Sequence, residues 1–399
     1  MKLKRGFFTI RGDIMEIYER SKIQRLFSPY RNGNIYTRNR FVRAATWMSA
    51  CDDETGRVSS LSVSYHIQAA SGGAGTVISE FAYISPEGKT NAKQWGIEND
   101  GAVSDVEEIA AGVHASGSKF VVQICHSGGA TRTTSETAQA LGPSAGRYPG
   151  LGTDTREMNA EDISKVRRDF AAAAKRAKDG GADGVEIHAA HGFLLTQFLS
   201  PLLNKRTDEY GGSLNNRLRL TREVCADVRA AVGNNFPIWV KLSITEGTEG
   251  GYTSDEGIES ALVLLSDGCD LIEISSGTGY SAPHHSPSVV GVSAGESEAP
   301  FAPYARKIRA RAAENKTVLL TGGLRSLPVM ACLLDEGACD LFGISRPFIA
   351  EPDLINRWAE DDARPSACVS CNACFRTALY GPIDCPIMRD KQEGEWDPL

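Results

Sequence analysis

The chain has no apolar run approaching the ~18 residues that a membrane-spanning helix needs, so a helical membrane span is excluded. Its N-terminus is basic, but the only apolar cluster there is Phe7-Phe8-Thr9-Ile10. That is too short for a secretory leader core of about 7–15 residues. Positive charge is not in excess either. Lys and Arg total 43 against 50 Asp and Glu, giving a net charge of −7 and a pI of about 5.6. Nucleic acid and anionic membrane surfaces require a concentrated basic face, so neither is expected as a partner. A glycine-rich phosphate turn after a first strand is also missing. Gly72-Gly73-Ala74-Gly75 precedes a strand pattern, the wrong order for a dinucleotide-binding fingerprint. Residues 1–22 read as a flexible arm, with Met15 as an alternative start, and a cytoplasmic location is expected. Six of the ten cysteines (Cys51, Cys125, Cys225, Cys269, Cys332 and Cys339) are scattered singly, as in a chain whose thiols stay reduced.

What is present is ordinary globular composition, 399 residues with 41% hydrophobic and 40 glycines, long enough for a large core. Eight short apolar runs stand out: 41–45, 75–80, 119–124, 184–188, 237–242, 270–274, 317–321 and 340–344. They lack polar alternation, as parallel strands covered on both faces do. Helical patterns lie between them, for example over 103–116, 162–178, 216–232, 254–265 and 328–336. Several end in glycine plus a small residue, the helix stop of a β/α unit. Eight alternations predict an α/β fold, a TIM-type eight-stranded β/α barrel over 23–360, followed by a short Cys-rich extension over 361–399.

In such a barrel the active site is built at the C-terminal ends of the strands. Those ends carry Thr46 and Trp47, Glu80, Gln123 and His126, His188 and His191, Lys241, Ser275 to Gly279, Gly322 and Gly323, and Ser345 and Arg346. The most informative of them is Glu186-Ile187-His188-Ala189-Ala190-His191-Gly192, where an apolar strand delivers two imidazoles to a sharp turn. Histidine suits proton traffic or anion binding near neutral pH. Gly322, Gly323 and Arg346 follow the last two strands, the usual phosphate site of the fold, though tight turns alone would use the same glycines. Gln123 offers a donor and an acceptor on one amide and Lys241 a cation. A buried structural amide and a barrel ion pair are the plain alternatives for these two.

Together these features resemble the old yellow enzyme family of flavin-dependent ene-reductases, over about residues 24–360. The resemblance starts at Leu26-Phe27-Ser28-Pro29 and Asn39-Arg40-Phe41. It continues through Gln123-Ile124-Cys125-His126-Ser127-Gly128-Gly129 and is most specific from His188 to Arg217. It implies FMN lined by Ala45, Thr46, Trp47, Gln123, Lys241, Gly322, Gly323, Ser345 and Arg346. His188 and His191 would hydrogen-bond a substrate oxygen, and NAD(P)H would reduce the flavin in the same pocket. Two donors on that oxygen make the β-carbon electrophilic toward hydride. One departure stands out. Where relatives usually carry the tyrosine that supplies the α-proton, this chain has Phe193. Tyr280 is the first candidate to replace it as a catalytic residue and Tyr83 the second. Trp47 stands where many relatives have a smaller residue.

The remaining four cysteines, Cys368, Cys371, Cys374 and Cys385, are clustered. Three at CxxCxxC spacing with a distal fourth suit a 4Fe-4S cluster better than zinc, which is usually held by paired CxxC knuckles. The segment resembles that of the larger family members, the dienoyl-CoA and enoate reductases and trimethylamine dehydrogenase. In those a C-terminal FAD/NAD domain follows the cluster. Here the sequence points to a separate electron-donor protein, or to direct reduction by NAD(P)H. A small unsaturated molecule is the expected substrate, a homo-oligomer is compatible, and an amine dehydrogenase or demethylase is the alternative activity.

Overall fold

The computed structural model describes residues 20–132, 139–150, 153–295 and 297–393. Most of the predicted N-terminal arm, residues 1–19, lies outside the described residues, and residues 20–27 are already helical. Eight parallel strands close into a barrel. They are β1 (Phe41–Arg43), β2 (Thr76–Tyr83), β3 (Lys119–Cys125), β4 (Gly184–Ala189), β5 (Ile238–Ser243), β6 (Leu271–Ser275), β7 (Thr317–Thr321) and β8 (Leu341–Ile344). β8 pairs with β1 through Gly343↔Val42 and closes the ring. All eight coincide with the apolar runs of the sequence.

The helices between them also follow the sequence pattern: α1 (Ser60–Ser71), α2 (Ala102–Ala115), α3 (Ala160–Asp179), α4 (Leu214–Val232), α5 (Ser254–Ser266), α6 (Ala302–Arg309) and α7 (Leu327–Asp335). Their starts are encoded locally. Asn159 with Asp162 opens α3 in a capping box, and Thr253 with Glu256 does the same for α5. Gly181 after α3 and Gly337 after α7 take φ of 85° and 67°, the left-handed stop that lets the next strand begin.

The barrel interior has two storeys. At the N-terminal end Val42, Ile78, Val121, Trp239, Leu271, Leu319 and Leu341 fill it with apolar side chains. An antiparallel hairpin, Tyr30–Asn32 with Ile35–Thr37, packs Tyr30 and Ile35 against them, and the Tyr30 hydroxyl lies 3.0 Å from Thr317 Oγ1. The hairpin thus covers much of this end, leaving a cavity of about 270 Å³ beside Val121 and Trp239. At the other rim β2 carries a register shift between Ile78 and Phe81. One extra residue reverses which side chains face inward. Phe81 faces the rim cavity. Glu80, expected among the rim's polar groups, is turned away onto Cys51 Sγ (3.3 Å) and Ser62 Oγ (3.2 Å).

The Cys-rich extension packs on the barrel rim. Cys374, Ala378 and Ile383 are buried against Met48 and Ala50 of the segment after β1, and Ile383 N–H donates to Met48 O at 2.8 Å. Arg325, only 2% exposed at the end of β7, holds the other side. It donates to Cys368 O at 3.0 Å, to Leu324 O at 2.6 Å and to Ser370 Oγ. An Arg325→Ala variant leaves these acceptors unmatched. It should lose about 2–3 kcal/mol in chemical denaturation, and amide exchange over 366–374 should accelerate more than in the barrel strands.

Candidate active site

The site follows from strand register. Gln123 on β3 lies opposite Glu186 on β4, His188 opposite Lys241 on β5, and Lys241 opposite Glu273 on β6. Residues sharing a storey of a parallel barrel point inward together, so these side chains meet above the apolar floor. Lys241 Nζ is 2.9 Å from Glu273 Oε1, and Gln123 Nε2 donates to Glu186 Oε2 at 2.5 Å. Lys241 and Gln123 are 3% and 1% exposed and both carboxylates are fully buried. Burial, followed by the charge of Glu273, pushes Glu186 well above the usual carboxyl range. Burial also acts to raise Glu273, but the Lys241 charge and side-chain hydrogen bonds outweigh it and hold Glu273 below that range. The storey thus consists of one ion pair and one carboxyl that burial and the neighbouring Glu273 charge bias toward its neutral form. Lys241 is already matched by Glu273, the barrel ion pair that the sequence offered as its plain alternative.

His188 and His191 sit just above. Their ring centroids are 5.0 Å apart at 84°. His188 Nδ1 accepts the Ala190 N–H at 3.2 Å, which assigns its proton to Nε2. His191 Nε2 lies 2.7 Å from Ser275 Oγ, and its backbone N–H donates to Ser243 Oγ at 2.9 Å. His191 takes a φ of 63°, a strained value for a non-glycine residue, and Gly192 follows at 84°. Burial first, then the charges of neighbouring groups, depress both imidazoles, His191 to about 3. Both are neutral near pH 7 and each keeps one N–H.

A cavity of about 870 Å³ opens here, within the ~300–1,000 Å³ of small-molecule sites. Ala45, Thr46, Trp47, Gln123, Lys241 and Ser345 line its inner wall, together with His188, His191 and Phe193. Thr46 Oγ1 is 2.7 Å from Ser345 Oγ, joining the ends of β1 and β8. The outer wall is formed by Arg132, Tyr148, Phe375, Arg376 and Leu379. Arg132, Lys241 and Arg376 are the ionic residues lining it, and no carboxylate does so among the described residues.

A second, smaller cavity adjoins it. Cys368, Cys371, Cys374 and Cys385 all line it together with Arg346. Cys371 and Asn372 border both cavities. Burial raises the Cys374 thiol to about 11, and neighbouring thiols add to the rise. Among the described residues no group of three or more His, Cys, Asp or Glu is drawn together at metal-binding distances.

Comparison with known proteins fits this geometry. The family model for the NADH:flavin oxidoreductase / NADH oxidase family matches residues 25–364. An NADPH dehydrogenase of Halalkalibacterium halodurans is 33% identical over 82% of this chain and 92% of its own length. The chain belongs to the NADH:flavin oxidoreductase family. An NADH oxidase of Thermoanaerobacter brockii is 32% identical over 87% of the chain, but the chain spans only 52% of that protein. Among solved structures, a 2-naphthoyl-CoA reductase complex superposes with a TM-score of 0.83 at 28% identity, covering 94% of this chain and 58% of that one. Histamine dehydrogenase from Rhizobium sp. 4-9 gives 0.79 at 26%, covering 94% and 53%. An old yellow enzyme homologue from Zymomonas mobilis gives 0.74 at 26%, covering 94% and 99%. The protein is a flavin oxidoreductase of the old yellow enzyme type, for which FMN and NAD(P)H are the consistent cofactors. No helix among its described residues is long and apolar enough to cross a membrane.

The chain's own residues suit a flavin. Gln123 spends one N–H on Glu186 and keeps a second N–H and its carbonyl. The buried Trp47 Nε1, on the same wall, has no hydrogen-bond partner among the described residues. Other predicted residues fall elsewhere. Gly322 and Gly323 pack under Phe301, Pro300 and Val292 and do not line the large cavity. Arg346 donates to Val289 O (3.0 Å) and Asn372 Oδ1 (2.6 Å) and faces the cysteine cavity. The Tyr280 hydroxyl donates to Glu246 Oε1 at 2.8 Å, away from the histidines, and Tyr83 lies against Gly56 and Gly96. The glutamates of the polar storey, Tyr148 and Arg132 carried no sequence signal, because their roles depend on register and on a long loop.

Two outcomes are expected. Glu273→Gln frees the Lys241 charge, so the flavin potential should move positive by roughly 30–60 mV, at about 30 mV per 1.4 kcal/mol, in spectroelectrochemical titration. The depressed folded-state values of His188 and His191 contribute stability that is present above the unfolded value of about 6.5 and is lost as pH falls below it. A His188→Asn/His191→Asn variant should flatten the fall of unfolding free energy between about pH 6 and 4, by up to about 1.4 kcal/mol per pH unit for each histidine.

Proposed function

We propose that this flavin oxidoreductase reduces the C=C bond of an α,β-unsaturated carbonyl or carboxylate compound, with electrons from NAD(P)H or an external carrier. The observation that carries the reading is the pair of neutral imidazoles at the end of β4, each with one N–H, on the wall of the large cavity. Both donate to the substrate oxygen and draw electron density from the double bond, a gain that grows as charge develops on that oxygen. FMN, when bound, supplies the hydride for the β-carbon, while the α-carbon takes a proton and NAD(P)H is oxidised. Phe193 offers no proton, and Tyr280 does not line the cavity. Tyr148 is the tyrosine on the cavity wall, its hydroxyl donating to Gly192 O at 2.8 Å beside the histidine turn, and takes the proton-donor role in this reading.

In the same proposal the four cysteines hold a 4Fe-4S cluster, zinc being the lesser candidate. Thiolates are the ligands such a cluster selects. The four share one cavity beside Arg346, whose charge favours the thiolate form. Cys371 borders the flavin chamber as well, so electrons from a separate donor protein have a short route inward. The second reading, an amine dehydrogenase, draws on the likeness to histamine dehydrogenase. Amines arrive as cations, and a chamber lined by Arg132 and Arg376, with no carboxylate among the described residues, disfavours them.

Purified anaerobically, the protein should carry FMN and about four iron per chain, and Cys371→Ser should lose the iron while keeping the flavin. With 2-cyclohexenone, His188→Ala and His191→Ala should each lower turnover about 10²–10³-fold while flavin reduction by NADPH continues. Enone turnover that survives both substitutions would remove the assigned role.

A further inference from the structure

The two imidazoles are held by different nitrogens. His188 Nδ1 accepts the Ala190 N–H, and its Nε2 makes no hydrogen bond among the described residues. His191 is held the other way round. Its Nε2 lies 2.7 Å from Ser275 Oγ, and its Nδ1 is the nitrogen without a partner among the described residues. Neither unpartnered nitrogen is enclosed by protein atoms, and both residues line the flavin chamber. Ser275 stands at the end of β6, directly opposite Ser243 on β5. The two serines divide the histidine turn between them. Ser243 Oγ accepts the His191 backbone N–H at 2.9 Å and donates to Gly277 O at 2.8 Å. Ser275 is 3% exposed, and among the described residues its hydroxyl meets only the His191 ring.

A neutral imidazole carries one N–H and one ring-nitrogen lone pair. Two arrangements are therefore open to His191. With the proton on Nε2, the ring donates to Ser275, the serine's own proton has no acceptor, and Nδ1 turns a lone pair toward the chamber. A buried donor without an acceptor is costly. With the proton on Nδ1, the serine donates to Nε2, and the Nδ1–H is left for a ligand. We propose that Ser275 is a positioning residue whose hydroxyl donates to His191 Nε2 and fixes the ring proton on Nδ1. The chamber then receives one N–H from each ring, His188 Nε2–H and His191 Nδ1–H, with the ring centroids 5.0 Å apart. The opposite tautomer would set a lone pair of His191 against the substrate oxygen. The proposal rests on the reductase reading above and adds the group that makes the second histidine a donor.

The test reads tautomer and chemistry separately in the holoenzyme. Long-range proton–nitrogen correlation spectra of the isotope-labelled, oxidised protein distinguish Nδ1–H rings from Nε2–H rings, with His188→Ala and His191→Ala assigning the signals. The wild type should show Nδ1–H at His191 and Nε2–H at His188. Ser275→Thr should keep this pattern. Ser275→Val, with the shape of threonine but no hydroxyl, should lose it at His191 alone, and Ser275→Ala should match the valine variant. In single turnovers, reoxidation of the reduced flavin by 2-cyclohexenone should slow about tenfold in Ser275→Val, the worth of one neutral hydrogen bond. Ser275→Thr should recover most of that rate. In a His191→Ala background the valine and threonine variants should be equally slow, because Ser275 acts only through the ring. An Nε2–H at His191 in the wild type, a tautomer that loss of the hydroxyl leaves unchanged, or further slowing by Ser275→Val in the His191→Ala background would overturn the proposal while leaving the reductase reading intact. So would a loss confined to FMN content. A wild type whose reduced flavin is not reoxidised by 2-cyclohexenone removes the reductase reading, and this role of Ser275 with it.

Discussion

A lysine and two glutamates buried inside one barrel must settle their charges among themselves. Lys241 and Glu273 form an ion pair on adjacent strands, and Glu186, which accepts from Gln123, is pushed toward its neutral form by burial and by Glu273. Isolated charges at such depth are too costly to keep, so the storey persists only as a unit. It separates an apolar floor, packed against Tyr30 and Ile35 of the hairpin, from an open polar rim. It also fixes the side chains presented upward, because Lys241 and Gln123 belong to the storey and to the cavity wall at once. The histidines lie beside it, His188 in register with Lys241, and the Lys241 charge adds to burial in keeping them uncharged.

From that storey outward the site is assembled by loops. The turn at His191 places its imidazole against Ser275 at the cost of a strained backbone. The β2 bulge substitutes Phe81 for Glu80 on the wall. The cysteine lobe closes one side through Arg325, Arg346 and Asn372 and brings Cys371 to the boundary of two cavities. The barrel thus supplies a rigid rim, and the added segments decide what enters it.

Much of this was legible in the sequence because it is periodic or local. Eight apolar runs and their helical partners give the barrel and its order, and the histidine motif gives the rim and the family. What was not legible depends on contacts between distant segments. Glu186 and Glu273 read as ordinary strand residues until register sets them on either side of Lys241. A single bulge reversed the expectation for Glu80, since alternation cannot reveal an inserted residue. Tyr280 follows β6 closely in sequence, as a rim residue would, but Glu246 captures its hydroxyl. Arg346 follows the last strand as a phosphate-binding arginine does, and its bond to Asn372 of the cysteine lobe was not legible in the sequence. The short hairpin and the excursion after β3 carry too little periodicity to be read at all.

The central claim is that a flavin at this rim passes hydride to a compound held by His188 and His191. It is tested most directly in a single anaerobic turnover, in which the NADPH-reduced protein, freed of excess NADPH, is mixed with one equivalent of 2-cyclohexenone. The account predicts that the flavin absorbance returns with formation of an equal amount of cyclohexanone. A flavin that stays reduced, or one that reoxidises without any saturated ketone, would contradict it.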